Sequence, residues 1–178
     1  MTDVYANDHL SGCILFNFSP VRFSMSSQPR IWCHCFFFSA LCLWKFCLFQ
    51  YTAIDCEGQN LAVAGRTGLA HYSMVSRKWK LFGNETQEKD FVVTGGLLWW
   101  RDHVVMGCYS ILENRDEIRI YPRDSRLDNM FVKMVRVSAQ VLLLNTLRDR
   151  LITFCASGQI SIYSLSVKEN HSCKLFYN

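Results

Sequence analysis

The side chains best suited to acid–base chemistry are one carboxylate pair and two histidines. Asp55 and Glu57 are separated by one residue, which would place both on the same face of a strand. Paired carboxylates can act as general acid and base, but a pair at a hairpin edge is normally solvated. His71 and His103 have no neighbouring pattern typical of a metal site or an activated nucleophile. The sequence therefore predicts no catalytic residue.

Phosphate-binding and nucleophile motifs are the next kind of pattern that could carry chemistry. Gly95-Gly96 does not belong to a G-x-G-x-x-G sequence or to a P-loop. The G-x-S-x-G pattern of a nucleophile elbow does not occur in the sequence. We therefore expect no cofactor and no cofactor-binding residue.

A cluster of cysteines with one histidine near residue 40 could in principle hold zinc. Its members are Cys33, His34, Cys35, Cys42 and Cys47. Structural zinc needs four ligands that converge tetrahedrally, and they usually come as two spaced pairs. Cys-x-Cys next to three phenylalanines lacks that spacing. The sequence predicts no metal site.

The composition of the whole chain limits the class of protein that must position any site. The chain has 178 residues, half of them hydrophobic and 19% charged, which excludes a disordered polymer. Its formal charge is +4, but no block of Lys and Arg forms a nucleic-acid patch. Nine cysteines without regular spacing argue against a closed disulfide framework. These features indicate a reduced, cytoplasmic chain that does not bind nucleic acid.

A break in composition near Tyr51 divides the chain. Residues 1–50 hold five charged side chains, five of the nine cysteines and 11 of the 25 aromatic residues. Residues 51–178 hold 29 charges and have the composition of a globular domain. We expect residues 1–50 to be an atypical Cys/Phe-rich segment, not a native domain, and residues 51–178 to form the folded part.

Residues 31–50 leave more than one interpretation open. An apolar run of about 20 residues could span a bilayer, although Lys45 and His34 interrupt it. A signal peptide would start earlier and would end at a small-residue cleavage site. Phe, Leu, Ser and Cys have pyrimidine-rich codons, so residues 23–50 also fit a translated intron ending at a splice acceptor. The segment is thus either an unstructured or mis-spliced insertion or a membrane anchor for the repeat that follows.

After Tyr51 the sequence favours β-strands. No stretch has the 3.6-residue period of an amphipathic helix, and short runs rich in Val, Ile, Leu, Phe and Tyr alternate with turn residues. The predicted strands are Asn60–Ala64, Leu69–Met74, Lys78–Phe82, Phe91–Thr94, Leu97–Trp100, Val104–Tyr109, Glu117–Tyr121, Phe131–Val137, Val141–Thr146, Leu151–Cys155 and Gln159–Leu165.

These runs also repeat with a long period. Tyr72, Tyr121 and Tyr163 end three similar segments and are 49 and 42 residues apart. Arg101-Asp102 and Arg148-Asp149 precede two of the segments and are 47 residues apart. A four-stranded propeller blade takes about 40–50 residues. The sequence therefore predicts an all-β fold, a partial β-propeller of about three incomplete, WD-repeat-like blades.

Blade packing would bury alternate side chains on both faces of each sheet. The predicted core positions are Val63, Val105, Ile120, Ile152 and Ile162. We assign the three tryptophans of this part to blade packing as well, namely Trp79, Trp99 and Trp100. In Lys78–Phe82, alternation places Trp79 on the buried side and the lysines, with Phe82, on the wetter side.

Several longer runs resemble a known family. AIDCEGQNLAVAGRTGLAHYS, KWKLFGN, VTGG and VLLLNTLRDRLITFCASGQISIYSL are similar to the Ric-one family, and the resemblance covers residues 51–176. Members are large propeller-bearing subunits of guanine-nucleotide exchange factors for Rab-six-class Golgi GTPases. The resemblance implies an Rgp-one-type partner subunit, a Rab GTPase, peripheral contact with Golgi membranes, and a role in endosome-to-Golgi retrograde transport. It implies a non-catalytic subunit, because it carries no exchange residue onto this chain.

Propellers usually bind partners through loops at the ends of their blades. The polar loop residues that we single out as possible partner contacts are Arg66, Thr67, Arg115, Asp116, Arg123 and Asp124. The simpler interpretation, that they are ordinary solvated turn residues, is the favoured one. Two hypotheses of different class thus follow: a subunit of an exchange factor that acts by protein–protein contacts, and a membrane-anchored β-repeat interaction protein with residues 31–50 as its anchor.

Overall fold

The computed structural model describes residues 50–65 and 68–167, together with the backbone of residues 173–177. The described residues form three separate four-stranded antiparallel sheets, and in each sheet neighbouring strands are consecutive in the chain. Such a meander is the blade of a propeller. The strands of the first blade are β1 (Tyr51–Ile54), β2 (Asn60–Ala64), β3 (Leu69–Ser73) and β4 (Lys78–Lys80).

The second and third blades repeat this arrangement. A five-residue helix, α1 (Glu85–Lys89), leads into the second blade. The second blade consists of β5 (Phe91–Trp100), β6 (His103–Ser110), β7 (Arg115–Pro122) and β8 (Lys133–Arg136). The third blade consists of β9 (Val141–Leu147), β10 (Arg150–Cys155), β11 (Ile160–Val167) and β12 (Cys173–Tyr177).

The predicted partial propeller is confirmed, with three blades in the described part of the chain. Each of these blades has four strands. The blades are therefore complete, and only the ring that they form is partial. The predicted strands correspond to β2 through β11, and the two runs on either side of Gly95-Gly96 belong to one long strand, β5. The sequence reasoning missed β1 and α1, which are short and lack a periodic pattern.

The first strands of the sheets lie next to one another and hold the blades together. β1 packs against β5, and β5 packs against β9. The Tyr51 hydroxyl donates to the carbonyl oxygen of Thr94 at 2.7 Å, and the Trp99 indole N–H donates to that of Ala53 at 3.2 Å. Because both bonds run from the first blade to the second, they fix the relative position of β1 and β5.

The sequence repeat corresponds to a structural repeat in strand register. Tyr72, Tyr121 and Tyr163 each lie on the third strand of a blade and pair with a residue of the second strand. Their partners are Leu61, Val104 and Leu151, respectively. Corresponding positions of the three blades can therefore be counted outward from these pairs.

Two glycines allow the second and third blades to approach closely. A Cβ added to Gly95 would lie 2.4 Å from the carbonyl oxygen of Val141, and one added to Gly107 would lie 2.9 Å from the Val141 Cβ. The β5–β6 register shifts between Val93 and Leu97, so Gly95 lies at an irregularity of the strand. The Gly95-Gly96 pair is thus a packing element and not part of a phosphate loop.

The core positions predicted from alternation are confirmed only in the first two blades. Val63, Val105 and Ile120 are buried, whereas Ile152 is half-buried and Ile162 is 38% exposed. The expectation for Ile162 was wrong because its side of the third blade has no described sheet packed against it. Trp99 and Trp100 are buried on opposite faces of β5, as expected of adjacent strand residues.

The prediction for the strand that contains Trp79 was partly wrong. Trp79 is half-buried and lies 5.1 Å from the Tyr72 ring, centroid to centroid. Phe82, expected on the wetter side, is buried against Phe91 and Tyr121. The strand ends at Lys80, so alternation does not extend to Phe82, which turns into the core between the first two blades.

The segment before Tyr51 was expected to be either a mis-spliced insertion or a membrane anchor. Residues 1–49, which include the cysteine-rich run and the proposed insertion or anchor, lie outside the described residues. Within the described part, the structure contains no helix of the length and apolar character that a bilayer crossing requires.

The close approach at Gly95 yields a test of blade packing. Gly95→Ala would place a methyl group against the Val141 backbone, so we expect the free energy of unfolding to fall by about 1–3 kcal/mol. Gly83→Ala is the matched control, because nothing lies within 4 Å of a Cβ at that position. Urea unfolding followed by tryptophan fluorescence measures both. Equal stability of the two variants would contradict the proposed packing.

Candidate interaction surface

Two tight turns at one end of the blades place charged residues in equivalent positions. Arg101-Asp102 connects β5 to β6, and Arg148-Asp149 connects β9 to β10. Arg101 and Arg148 have φ values of 49° and 55°, in the left-handed region that two-residue hairpin turns require. The two dipeptides recognised as repeat markers in the sequence are therefore corresponding turns of neighbouring blades.

The two turns contact each other directly. Arg101 Nη2 lies 2.8 Å from Asp149 Oδ1, and the Trp100 indole N–H donates to the Arg148 carbonyl oxygen at 3.1 Å. The Arg101 guanidinium carbon lies 5.2 Å from the centroid of the Trp100 ring. The ion pair is half exposed, so its contribution to stability is small, about 0–1 kcal/mol. Its main consequence is to align the charges of two blades.

Arg123 extends the row of charges toward the first blade. Arg123 Nη1 lies 2.8 Å from Asp102 Oδ1, and its Nε lies 3.3 Å from Asp124 Oδ1. Lys80 of the first blade donates from Nζ to the Arg123 carbonyl oxygen at 2.5 Å. We call this continuous set the charged turn surface, and its members are Lys80, Arg101, Asp102, Arg123, Asp124, Arg148 and Asp149.

Four of the predicted contact residues divide between the two ends of the second blade. Arg123 and Asp124 belong to the charged turn surface. Arg115 and Asp116 follow the β6–β7 hairpin, at the far end of the eight-residue strand β6. Arg66 and Thr67 lie outside the described residues. The described candidates therefore cannot form one site.

Arg115 and Asp116 are engaged in contacts within the blade. Arg115 Nη1 lies 3.0 Å from Glu113 Oε2, and its Nε lies 3.3 Å from Glu117 Oε2. The Asp116 carbonyl oxygen accepts from the Val137 amide at 3.1 Å, and burial raises the pKa of its carboxyl group. These contacts fix the start of β7 and the chain that leads to the third blade.

A buried ion network lies between the first two blades and was not predicted. Arg119 Nε lies 2.5 Å from Glu117 Oε1, its Nη2 lies 2.8 Å from Asp90 Oδ2, and its guanidinium lies over the Phe91 ring. Arg119 is 1% exposed and Glu117 is fully buried. The signal in the sequence is the charged alternation of Arg-Asp-Glu-Ile-Arg-Ile, which places alternate charges on one strand face. The network is enclosed, so it is structural and not a binding surface.

The two histidines and the carboxylate pair do not form a catalytic arrangement. Asp55 accepts from the Gln59 and Asn60 amides at 2.7 and 3.0 Å and thereby closes the β1–β2 turn, while Glu57 is exposed. His71 is buried, with its ring 5.8 Å from that of Trp99. His103 lies 5.7 Å from the Trp100 ring. Asp55 therefore serves a turn, and the two histidines serve packing.

The two buried thiols among the described residues, Cys108 and Cys155, are not poised for chemistry. Burial raises the pKa of Cys108 far above its ordinary value and also raises that of Cys155. A thiol that stays protonated is a poor nucleophile and a poor metal ligand. Within the described ranges, His, Cys, Asp and Glu form no group of three or more that could hold a metal ion.

The fold and the site together define a class of protein: a propeller domain whose exposed blade ends present paired charges. Residues 49–177 match the family model described as the RIC1 second beta propeller domain. The chain belongs to the RIC1 family.

Curated relatives in three animals are similar to this chain. It is 47% identical over 121 residues to the human guanine nucleotide exchange factor subunit RIC1, which covers 68% of this chain and 8% of the human protein. The mouse RIC1 subunit is 47% identical over 123 residues, covering 69% of this chain and 9% of that protein. A guanine nucleotide exchange factor subunit of Caenorhabditis elegans is 37% identical over 120 residues, or 66% of this chain and 8% of that protein. The chain thus spans about a tenth of the length of these relatives or less.

His71 allows a test of the packing beneath the charged turn surface. Burial, with the positive charges of Lys80 and Arg123, lowers the pKa of His71 to about 4. Between pH 6.5 and 4 the unfolded chain therefore binds more protons than the folded chain, so stability is lost as the pH falls through this window. We expect a loss of about 2 kcal/mol at pH 5 relative to pH 7.5.

Urea unfolding at the two pH values measures this loss, and His71→Gln serves as the non-titrating control. The pH dependence of the variant should be smaller by the same amount. If wild type and variant lose equal stability between pH 7.5 and pH 5, the pKa of His71 is not lowered in the folded chain. That result would contradict a buried, neutral His71 ring.

Proposed function

We propose that this chain is an interaction module of a guanine-nucleotide exchange factor and that it acts through protein–protein contacts at the charged turn surface. The main support is the row of charged residues from three blades. It is linked by the ion pairs Arg101–Asp149 and Arg123–Asp102 and by the hydrogen bond from Lys80 to the Arg123 carbonyl oxygen. Charged groups that are already oriented by neighbours lose little freedom on binding and specify the partner's position. Asp124 is 77% exposed and retains most of its surface for a partner.

The partners we propose are an Rgp-one-type second subunit and a Rab-class GTPase. Support comes from the relatives, which are named guanine nucleotide exchange factor subunits. On this proposal the chain is cytoplasmic, lies peripherally on Golgi membranes and takes part in endosome-to-Golgi retrograde transport. Release from membranes by alkaline carbonate tests the location, because a protein anchored through residues 31–50 would stay with the bilayer.

The proposed role is non-catalytic. Nucleotide exchange makes and breaks no covalent bond, and it requires a partner surface that opens the nucleotide pocket of the GTPase. Specific complexes of this kind bury about 1,200–2,000 Å². His71 is neutral and enclosed, and burial disfavours the thiolate of Cys108, so neither group offers an alternative chemistry.

Charge reversal at two exposed residues of the surface tests the proposal. Asp124 and Arg148 are exposed, and their replacement leaves the Arg101–Asp149 and Arg123–Asp102 pairs intact. We expect Asp124→Lys/Arg148→Glu to weaken binding to the purified Rgp-one-type subunit at least tenfold, which is about 1.4 kcal/mol. Surface plasmon resonance at fixed ionic strength measures the affinity.

The control variant reverses two exposed charges that lie outside the charged turn surface. Glu113→Lys/Arg136→Glu changes the same number of charges, near the β6–β7 hairpin and on β8, and should alter the affinity less than twofold. A loss equal to that of the test variant would show that the charged turn surface is not the contact. Release of fluorescent GDP from the Rab should be no faster with the chain alone than without it, and faster release would contradict the non-catalytic role.

A further inference from the structure

The outer edge of the first blade carries a concentration of positive charge. β4 is an edge strand of its sheet and contributes Lys78 and Lys80, while Arg77 precedes it in the β3–β4 turn. Arg126 comes from the β7–β8 loop of the second blade. Lys80 is half-buried, and the other three residues are exposed. We call these four residues the basic edge; Lys80 also belongs to the charged turn surface, and the other three do not.

Contacts between the first two blades place Arg126 beside the strand. The Lys80 Nζ lies 3.5 Å from the carbonyl oxygen of Ser125, to which it donates. Just after the end of β4, Phe82 and Leu127 form a parallel β-bridge. Arg126 is therefore flanked by two residues of its loop that contact the first blade. The basic edge thus continues across the junction of the two blades.

Within the described part of the chain, the charge of the basic edge is not balanced by acidic residues. The ion pairs between described residues include none of its four members. The acidic side chains of the neighbouring loop have other partners. Asp124 pairs with Arg123, and Asp128 accepts from the Gln87 side chain at 3.2 Å. The basic edge is therefore suited to an anionic partner.

Strand geometry sets the spacing of the charges. Alternate side chains of a strand lie on one face, so Lys78 and Lys80 share a face and are about 6.8 Å apart along β4. Carboxylates at alternate positions of a second extended segment would have the same spacing. β3 pairs with one side of β4, and no described strand pairs with its other side. An unpaired side of an edge strand can accept a strand from another molecule.

We propose that the basic edge binds an extended acidic segment of another protein, with carboxylate side chains at alternate positions. The segment lies along β4 as an added strand, and its carboxylates pair with Lys78 and Lys80. Arg77 and Arg126, near the two ends of β4, extend the positive field beyond these pairs. Lysines on an edge repel a second copy of the same edge, which favours an acidic strand over self-association. This site goes beyond the proposed function.

Two synthetic peptides of equal composition test the site on the wild-type chain. One is Glu-Thr-Glu-Thr-Glu-Thr-Glu, and the other is Glu-Glu-Thr-Thr-Glu-Glu-Thr, which has no two Glu residues at alternate positions. Fluorescence anisotropy of the labelled peptides measures both dissociation constants at an ionic strength of about 0.15 M, where distant charges are screened. We expect the alternating peptide to bind about threefold more tightly, because only it can form both cross-strand pairs. Equal affinity, or no binding of either peptide, would overturn the proposal.

Charge reversal separates the basic edge from other positive strands. Lys78→Glu/Arg126→Glu leaves the Lys80 contacts in place and should weaken binding of the alternating peptide about tenfold. The matched control, Lys133→Glu/Arg136→Glu, makes the same change of net charge on β8, an edge strand of the second blade. It should change the affinity less than twofold. Equal losses in the two variants would overturn the assignment to the basic edge. The peptide comparison decides the matter even where a variant does not fold.

Cosedimentation with vesicles separates a protein segment from a lipid surface as the partner. Vesicles of phosphatidylcholine with phosphatidylserine should retain the wild type and Lys78→Glu/Arg126→Glu to the same extent. Loss of vesicle binding in that variant, with no preference of the wild type for the alternating peptide, would assign the basic edge to an anionic bilayer and overturn the proposal. The second subunit is absent from all of these measurements, so their failure leaves the proposed function unaffected.

Discussion

Burial of the second blade on both faces is the interaction on which the rest of the structure depends. One face contributes Trp99, Val104 and Met106 to the core shared with the first blade. The other contributes Trp100 and Val105 to the core shared with the third. A sheet enclosed on both sides needs apolar residues at successive positions, which is why Leu97-Leu98-Trp99-Trp100 shows no polar alternation.

Enclosure on both faces also explains why charged side chains between the blades are paired and why small residues are needed at the closest contacts. Arg119 and Glu117 are held against each other and against Asp90 in the core between the first two blades. A buried pair gains little over apolar packing, but removal of one partner leaves an uncompensated charge and costs about 3–5 kcal/mol. On the other face, the glycines at 95 and 107 leave room for Val141. Blade contacts thus constrain residue type more tightly than strand formation does.

Much of the fold could be predicted from residue patterns, because blades repeat and their tyrosines keep register. The failures have physical causes. Ile162 has the pattern of a core residue, but burial depends on whether a neighbouring sheet is present, which one strand does not encode. Phe82 lies beyond the end of its strand, where alternation no longer applies. The charged turn surface was only half anticipated: Arg123 and Asp124 were recognised as loop residues, whereas the contact of Arg101 with Asp149 depends on how two blades stack.

Native-state hydrogen exchange tests directly whether the blades form one packed unit. Amides of β6 and β7, the inner strands of the second blade, whose side chains enter both cores, should exchange only through global unfolding and have the highest protection among the described strands. Amides of β4 and β8, at the outer edges of their sheets, should exchange through local opening with lower free energies. If β6 and β7 exchange as readily as these outer strands, the blades open independently, and burial of the second blade does not hold the structure together.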